Sequence, residues 1–191
     1  LICGGQLEVF VEAIVPQPKA FIFGAGHISK SLCKVATLAG FSVSVIDNRE
    51  TYANRDRFPE AEEVHAEEYE DLFPKLEVRD TNYIVIVTRG HRDDMRVLRW
   101  ALETPARYIS MIGSKRKVIG VVKELEKEGI GRDAFDRLFA PMGFDIGAIT
   151  PEEIAVSVVA EMIAARRNPE SRWREHSKSI FQNDAMRALL K

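Results

Sequence analysis

Short hydrophobic runs alternate with longer amphipathic segments along most of the chain. Five of the short runs, most of them apolar and each bounded by turn or charged residues, are predicted to form strands. These strands cover Lys19–Phe23, Ser42–Ile46, Glu63–His65, 83–87 and 108–112. Because strands that alternate with helices form mostly parallel sheets, the sequence predicts an α/β fold, a doubly wound sheet with helices on both faces.

The segments between the strands are predicted to be helices over 28–38, 93–103, 114–129 and Pro151–Arg167, with a short helix after Gly131. The last long helix has the clearest start signal, because Thr150, Pro151 and Glu153 form a capping box with proline at the first helical position. The charged segment 48–63 lacks a regular period and is predicted to be a loop with about one helical turn. The glycine-rich residues 140–147 are too apolar for an exposed linker, so this loop is expected to be covered.

Two glycines stand at the end of the first predicted strand. The order strand, Gly24-Ala25-Gly26, helix, second strand and then Asp47 is typical of a dinucleotide-binding Rossmann domain. Gly24 permits a sharp turn, and Gly26 lets backbone amides and the helix N-terminus approach a pyrophosphate. Asp47 is expected to accept hydrogen bonds from the hydroxyls of an adenosine ribose, which favours NAD over NADP. Ser29 replaces the third glycine of the pattern.

The composition argues against several classes of protein. The formal net charge of −2 and the isoelectric point near 6.2 give no basic excess, so binding to nucleic acid or to an anionic membrane is not expected. No apolar run approaches the ~20 residues that span a bilayer and no secretion signal is visible, so a cytoplasmic protein is expected. Cys3 and Cys33 cannot build a disulfide framework, and Cys33, on the first predicted helix, is expected to be a buried core thiol.

Several motifs occur together in one order. They lie at 3–5, 23–27, 45–49, 88–91, 108–116 and 140–155. In these segments the chain resembles the Rossmann-type domain of the xanthine dehydrogenase accessory factor family (XdhC/CoxI). The resemblance implies a division into 1–18, a remnant of the family's N-terminal segment, 19–168, the Rossmann-like cofactor-binding domain, and 169–191, a C-terminal tail.

The resemblance also implies a function. Such a protein receives the molybdenum cofactor, assists its sulfuration by a cysteine desulfurase, and delivers it to a xanthine dehydrogenase-like molybdenum hydroxylase. It would be an accessory protein or chaperone, a homo-oligomer that does not itself oxidise purines. Cys3 is then the candidate for a sulfur relay or a molybdenum ligand, since two glycines follow it and permit close approach.

The candidate ligand site lies where the strands end, because the carboxyl ends of parallel strands converge at the switch point of such sheets. Its residues are Gly24, Ala25, Gly26, His27, Ile28, Asp47, Asn48, Arg49, Thr88, Arg89, Gly90, His91, Ile112, Gly113, Ser114, Lys115 and Arg116. Backbone amides and cations in this set suit a phosphate, so the predicted ligand is the molybdenum cofactor (molybdopterin) or NAD(P). His27 and His91 lack a third ligand at metal spacing, so no metal site is predicted.

Two other functions remain open from the sequence. One is an NAD-dependent oxidoreductase that uses Asp47 and the glycine turn, with His27 or His91 as the acid. The other is a nucleotide-sensing regulator whose ligand changes a dimer contact made by the last helix and the tail. The tail itself, with Trp173 and Phe181 in polar surroundings, fits a docking helix, an oligomer contact or a partly disordered segment.

Overall fold

The computed structural model describes residues 7–12, 17–168 and 171–182. Within these residues, six strands form one sheet in which every pair of neighbours is parallel, with the order β3-β2-β1-β4-β5-β6. The strands are β1 Lys19–Phe23, β2 Ser42–Ile46, β3 Glu63–His65, β4 Tyr83–Ile86, β5 Tyr108–Met111 and β6 Leu138–Phe139. This is the strand order of the Rossmann fold, with its switch point between β1 and β4. The predicted fold class is therefore confirmed.

Helices cover both faces of this sheet. They are α1 His27–Leu38, α2 Tyr69–Leu72, α3 His91–Glu103, α4 Lys115–Lys127 and α5 Pro151–Arg167, with 3-10 turns at Phe73–Lys75, Arg132–Arg137 and Ser171–His176. One hydrophobic core lies between the sheet and α2, α3 and α4, and the other lies between the sheet and the packed pair α1 and α5. The full capping box predicted at Thr150 is present, and α5 has the predicted bounds.

Three elements differ from their sequence-based predictions. α3 begins at His91, two residues earlier than predicted, because Gly90 is the extended N-cap residue. β6 was not predicted, because two residues give no measurable period, and neither was the single turn of α2. α4 ends at Lys127 rather than 129, where Gly129 takes a positive φ of 96° beyond the helix end.

The predicted cover over the loop 140–147 is provided by the chain itself. The segment 173–182 runs along this loop, where the Lys178 N–H donates to the Gly143 carbonyl at 3.0 Å and the Ile180 N–H donates to the Ala140 carbonyl at 3.0 Å. The Trp173 ring stacks on Phe139 of β6. This part of the tail is thus docked on its own domain, and residues 183–191 lie outside the described residues.

The two cysteines have different outcomes. Cys33 is completely buried in the core beneath α1, as predicted, and burial raises the pKa of its thiol to about 11. At neutral pH this thiol stays protonated and unreactive. Cys3 lies outside the described residues, as does the motif 3–5. Among the described helices, each is too short or too polar to cross a bilayer.

Candidate functional site

The glycine loop after β1 is held by both neighbouring strands. The Gly24 N–H donates to the carbonyl of Ile46 at the end of β2, at 2.7 Å. Gly24 has a φ of +107°, and a Cβ atom at this position would lie 2.3 Å from the carbonyl oxygen of Val87, which follows β4. Backbone from three strands therefore meets at Gly24, and no side chain fits there.

Gly26 occupies a different environment two residues later. It is the extended N-cap residue of α1, with φ −78° and ψ −168°, and within the described residues no side chain caps this helix. A Cβ atom on Gly26 would meet nothing within 4 Å. Since the first N–H groups of a helix have no intrahelical partner, the start of α1 presents backbone donors to open space. His27 is exposed there and Ile28 is half-buried. The Ser29 hydroxyl, fully buried behind them, has no hydrogen-bond partner in the described structure.

Asp47 is almost fully buried at the end of β2, and both of its carboxylate oxygens are engaged by this chain. The Ala25 N–H donates to Oδ2 at 2.9 Å, which ties the acid to the glycine loop. Arg49 donates from its backbone N–H and Nε to Oδ1, and from Nη2 to Oδ2 at 2.7 Å. Burial by itself raises the pKa of Asp47, but the hydrogen bonds from Arg49 and Ala25 outweigh burial and leave that pKa below its ordinary value.

Replacing Asp47 by asparagine is expected to lower the free energy of unfolding by about 1–3 kcal/mol, because an amide cannot accept from both Arg49 and the Ala25 N–H. The carboxylate of Asp47 stabilises the fold above its ordinary pKa of about 3.9, and that contribution is lost as the pH falls through the lower folded-state pKa. Urea unfolding between pH 3 and 7 should therefore show a wild-type advantage that shrinks in acid. The exposed Asp56→Asn is the matched control, and an equal loss in both variants would contradict the assigned role.

An aromatic and two arginines extend the site beyond Asp47. The Arg49 guanidinium lies over the Tyr52 ring, 3.9 Å from its centroid, and the Arg57 guanidinium lies 5.1 Å from the same centroid. Nη2 of Arg57 donates to the carbonyl of Ala25 in the glycine loop, at 3.3 Å. Tyr52 and Arg57 belong to the segment predicted only as a charged loop, and no sequence period marked them.

The loop after β4 is connected to α4 rather than to the glycine loop. The Thr88 hydroxyl donates to Asp94 at 2.6 Å, and the ammonium group of Lys117 forms an ion pair with the other oxygen of this fully buried carboxylate. Burial raises the pKa of Asp94 above its ordinary value, although Lys117 and Thr88 oppose the shift. His91 lies against Gly120 of α4, and the half-exposed Arg89 pairs with Asp93 at 3.4 Å.

The start of α4 completes the carboxyl edge of the sheet. The Ile112 N–H bonds to Ile86 at 2.9 Å, and the Ser114 hydroxyl accepts from the Lys117 N–H, as predicted for an N-cap. Lys115 and Arg116 are exposed in the first turn. A cavity of about 460 Å³ lies between this helix start and the docked tail, and it is lined by Gly113, Ser114, Lys115, Pro141, Asp145, Glu175, His176, Ser177 and Lys178.

The predicted site residues thus fall into two connected groups. Hydrogen bonds join the glycine loop to Asp47 and Arg49, while the ion pair between Asp94 and Lys117 joins the β4 loop to α4. The buried Tyr69 lies between the groups, where burial and then the charge of Asp47 raise the pKa of its hydroxyl. Asn48 donates to Glu68 at 2.9 Å. In the described part of the chain, no three histidine, cysteine or acidic side chains are grouped so as to hold a metal ion.

The fold and this edge define the class of protein: an α/β domain of the Rossmann type, with a glycine loop at the switch point of its sheet. The chain belongs to the XdhC Rossmann domain family, whose sequence profile matches residues 20–162. This confirms the resemblance predicted from the motifs.

Relatives from three bacteria share this sequence. The chain is 33% identical over 167 residues to the uncharacterized protein YqeB of Escherichia coli (strain K12), which covers 87% of this chain and 30% of that protein. It is 30% identical over 160 residues to a probable xanthine dehydrogenase subunit of Bacillus subtilis (strain 168), which covers 84% of this chain and 46% of that protein. A crystal structure described as a xanthine dehydrogenase from Bacillus halodurans superposes with a TM-score of 0.73 at 32% identity, over 81% of this chain and 44% of that one. The chain therefore spans less than half the length of each of these relatives.

Proposed function

We propose that this domain binds the phosphate groups of a cofactor at the start of α1, within an accessory factor for a xanthine dehydrogenase-like molybdenum hydroxylase. The observation that carries the proposal is the open space in front of Gly26, where the helix presents its first backbone donors beside the glycine loop. The partner is inferred from the relatives, two of which carry the name of xanthine dehydrogenase or of one of its subunits.

The proposed cargo is the molybdenum cofactor. Its terminal phosphate, or the pyrophosphate of its dinucleotide form, would be bound by the backbone at Gly26 and His27 together with nearby cations, because amides and arginines suit a phosphate. Sulfuration of this cargo by a cysteine desulfurase, with delivery to the hydroxylase afterwards, is the step in which such an accessory factor would act. The cargo would supply redox chemistry only in the enzyme that receives it.

A second candidate function is supported by the strand order and the glycine loop, which equally suit NAD(P). A domain that binds NAD(P) here would be a nucleotide-sensing regulator or part of an NAD-linked oxidoreductase. The exposed His27 at the start of α1 is the nearest candidate acid for such chemistry. Hydride transfer from NADH to added substrates would favour the oxidoreductase, and an oligomer size that changes with ligand would favour the regulator.

The cradle is tested by Gly26→Val. The new side chain is expected to fill the space that phosphate oxygens would occupy, and loss of two or more hydrogen bonds to a charged group should weaken binding at least about 100-fold. Calorimetric titration of wild type and variant with molybdopterin, NAD and NADP measures this effect. The thermal midpoint should stay close to that of wild type, since the added side chain meets no neighbour at Cβ.

A second glycine supplies the control. Gly131→Ala adds a methyl group in ordinary contact with Asp133, beyond the far end of α4, and should leave binding unchanged. Tight binding of molybdopterin that Gly26→Val abolishes would support the cofactor-handling function, and copurification with a coexpressed molybdenum hydroxylase would add the partner. Binding of NAD or NADP alone would favour the second candidate. Failure of all three ligands to bind wild type would overturn the proposed site.

A further inference from the structure

Beside the glycine loop lies a group of three side chains that we call the arginine clamp, formed by Arg49, Tyr52 and Arg57. We propose that the arginine clamp binds a phosphate monoester at the outer end of the ligand whose pyrophosphate or phosphate lies on α1. The inference rests on the proposed function, because it concerns the same site. It reverses the expectation from the sequence that Asp47 selects a free ribose diol there.

The charges of the arginine clamp are not balanced by the protein. Two guanidinium groups lie against one ring, at 3.9 and 5.1 Å from its centroid, and the only carboxylate that pairs with either of them among the described residues is Asp47, on Arg49. Arg57 forms no ion pair in the described part of the chain, and its buried Nε has no hydrogen-bond partner there. A buried donor without an acceptor is costly. An added anion would offset both the repulsion between the cations and this unmet donor.

The same contacts explain why a free diol is a poor ligand at this position. The two oxygens of Asp47 already accept four hydrogen bonds, from Ala25 and Arg49. A ribose that bonded to Asp47 would have to displace one of these donors from an almost fully buried group. Asp47 uses Nε and Nη2 of Arg49, which leaves Nη1 without an acceptor in the described structure. Asp47 therefore acts as a support that orients Arg49.

The position of the arginine clamp suits an anion that extends beyond the pyrophosphate. Nη2 of Arg57 bonds to the carbonyl of Ala25, the residue between the two glycines, so the clamp directly adjoins the cradle. Tyr52 is 37% exposed and the Arg49 side chain is partly exposed, so a ligand can approach both. Stacking on Tyr52 holds the Arg49 guanidinium plane in one orientation, which favours bidentate phosphate binding.

Two ligands carry the required phosphate monoester. One is a nucleotide with a phosphorylated ribose, as in the 2′-phosphate of NADP, and the other is molybdopterin, through its terminal phosphate. Both present a doubly charged group of the same shape, and NAD lacks it. Comparison of the three ligands therefore separates the clamp from the pyrophosphate cradle and also separates the two sources of the monoester.

The decisive variant is Arg57→Gln, since it removes one charge without exposing Asp47. Calorimetric titration at one ionic strength should show that wild type binds NADP or molybdopterin more tightly than NAD. Arg57→Gln should weaken binding of the monoester ligand about 10- to 100-fold, as expected for a lost hydrogen bond between charged groups, and should leave NAD affinity nearly unchanged. Arg57→Lys should restore part of the affinity. Arg79→Gln, on an exposed arginine away from the carboxyl edge, is the control for net charge.

The outcomes are distinguishable. A selective loss for NADP identifies a phosphorylated ribose, and a selective loss for molybdopterin identifies the pterin phosphate. Equal loss for NAD and the monoester ligands, or a wild-type preference for NAD, overturns the clamp and leaves the proposed cradle intact. If wild type binds none of the three, both the clamp and the proposed function fail. Thermal unfolding of each variant shows that a lost affinity is not a lost fold.

Discussion

Gly24→Ala is expected to lower the free energy of unfolding by about 2–5 kcal/mol, through backbone strain at an unfavourable φ and overpacking of a rigid neighbour. The φ of +107° disfavours any side chain, and the new Cβ would lie 2.3 Å from the carbonyl oxygen of Val87. That oxygen belongs to the backbone at the end of β4, which cannot turn aside as a flexible side chain can. Relief would require separating β1 from β4 at the switch point, where the ligand site is built.

The comparison that isolates this effect is Gly26→Ala, two residues along the same loop. Its φ is ordinary and its Cβ would meet nothing within 4 Å, so its cost should stay near the few tenths of a kcal/mol typical of glycine at an N-cap. Urea unfolding of both variants gives the two free energies directly. The expected pattern is a large loss of stability for Gly24→Ala with little loss at Gly26. Equal stability in the two variants would show that β4 does not confine the loop.

Sequence patterns predicted the frame of this domain well where the signal is local. β1, β2, β3 and α5 have the predicted bounds, because apolar runs, flanking turn residues and a capping box all depend on neighbours in the chain. The glycine loop belongs to the same class of signal. Elements held by distant contacts were missed: β6 has two residues and exists because it pairs with β5.

The candidate site was predicted in location more than in detail. Asp47 stands where a ribose acceptor is expected, but the conformation of the following loop brings Arg49 back onto it. Likewise Arg57 reaches the glycine loop over 32 residues of sequence separation, a contact that no period or motif encodes. Local patterns therefore predict that a phosphate cradle follows β1, while the partner of each charge depends on how loops fold back.

Glu161 illustrates the same point in the interior. Its position in α5 suggests nothing unusual, yet its side chain is completely buried and accepts three hydrogen bonds. The donors are the Tyr108 hydroxyl from β5, the Gly143 N–H from the covered loop and the Ser177 hydroxyl from the docked tail. One carboxyl group thus joins a strand, a helix, a loop and the tail. Burial raises the pKa of Glu161, and the three hydrogen bonds only partly oppose that shift.

Glu161→Ala is expected to destabilise the domain by about 3–5 kcal/mol, because it leaves three buried donors unsatisfied and opens a cavity. Glu161→Gln should cost much less, since its amide oxygen can accept from Tyr108 and Gly143 while its NH₂ group donates to Ser177. The folded protein binds the Glu161 proton more tightly than the unfolded chain, so wild-type stability should fall as the pH rises from about 4.3 through the raised folded-state pKa. The glutamine variant should lack this slope. Urea unfolding from pH 4 to 8 measures both effects, and an equal cost for glutamine and alanine would mean that the charged carboxylate itself is required.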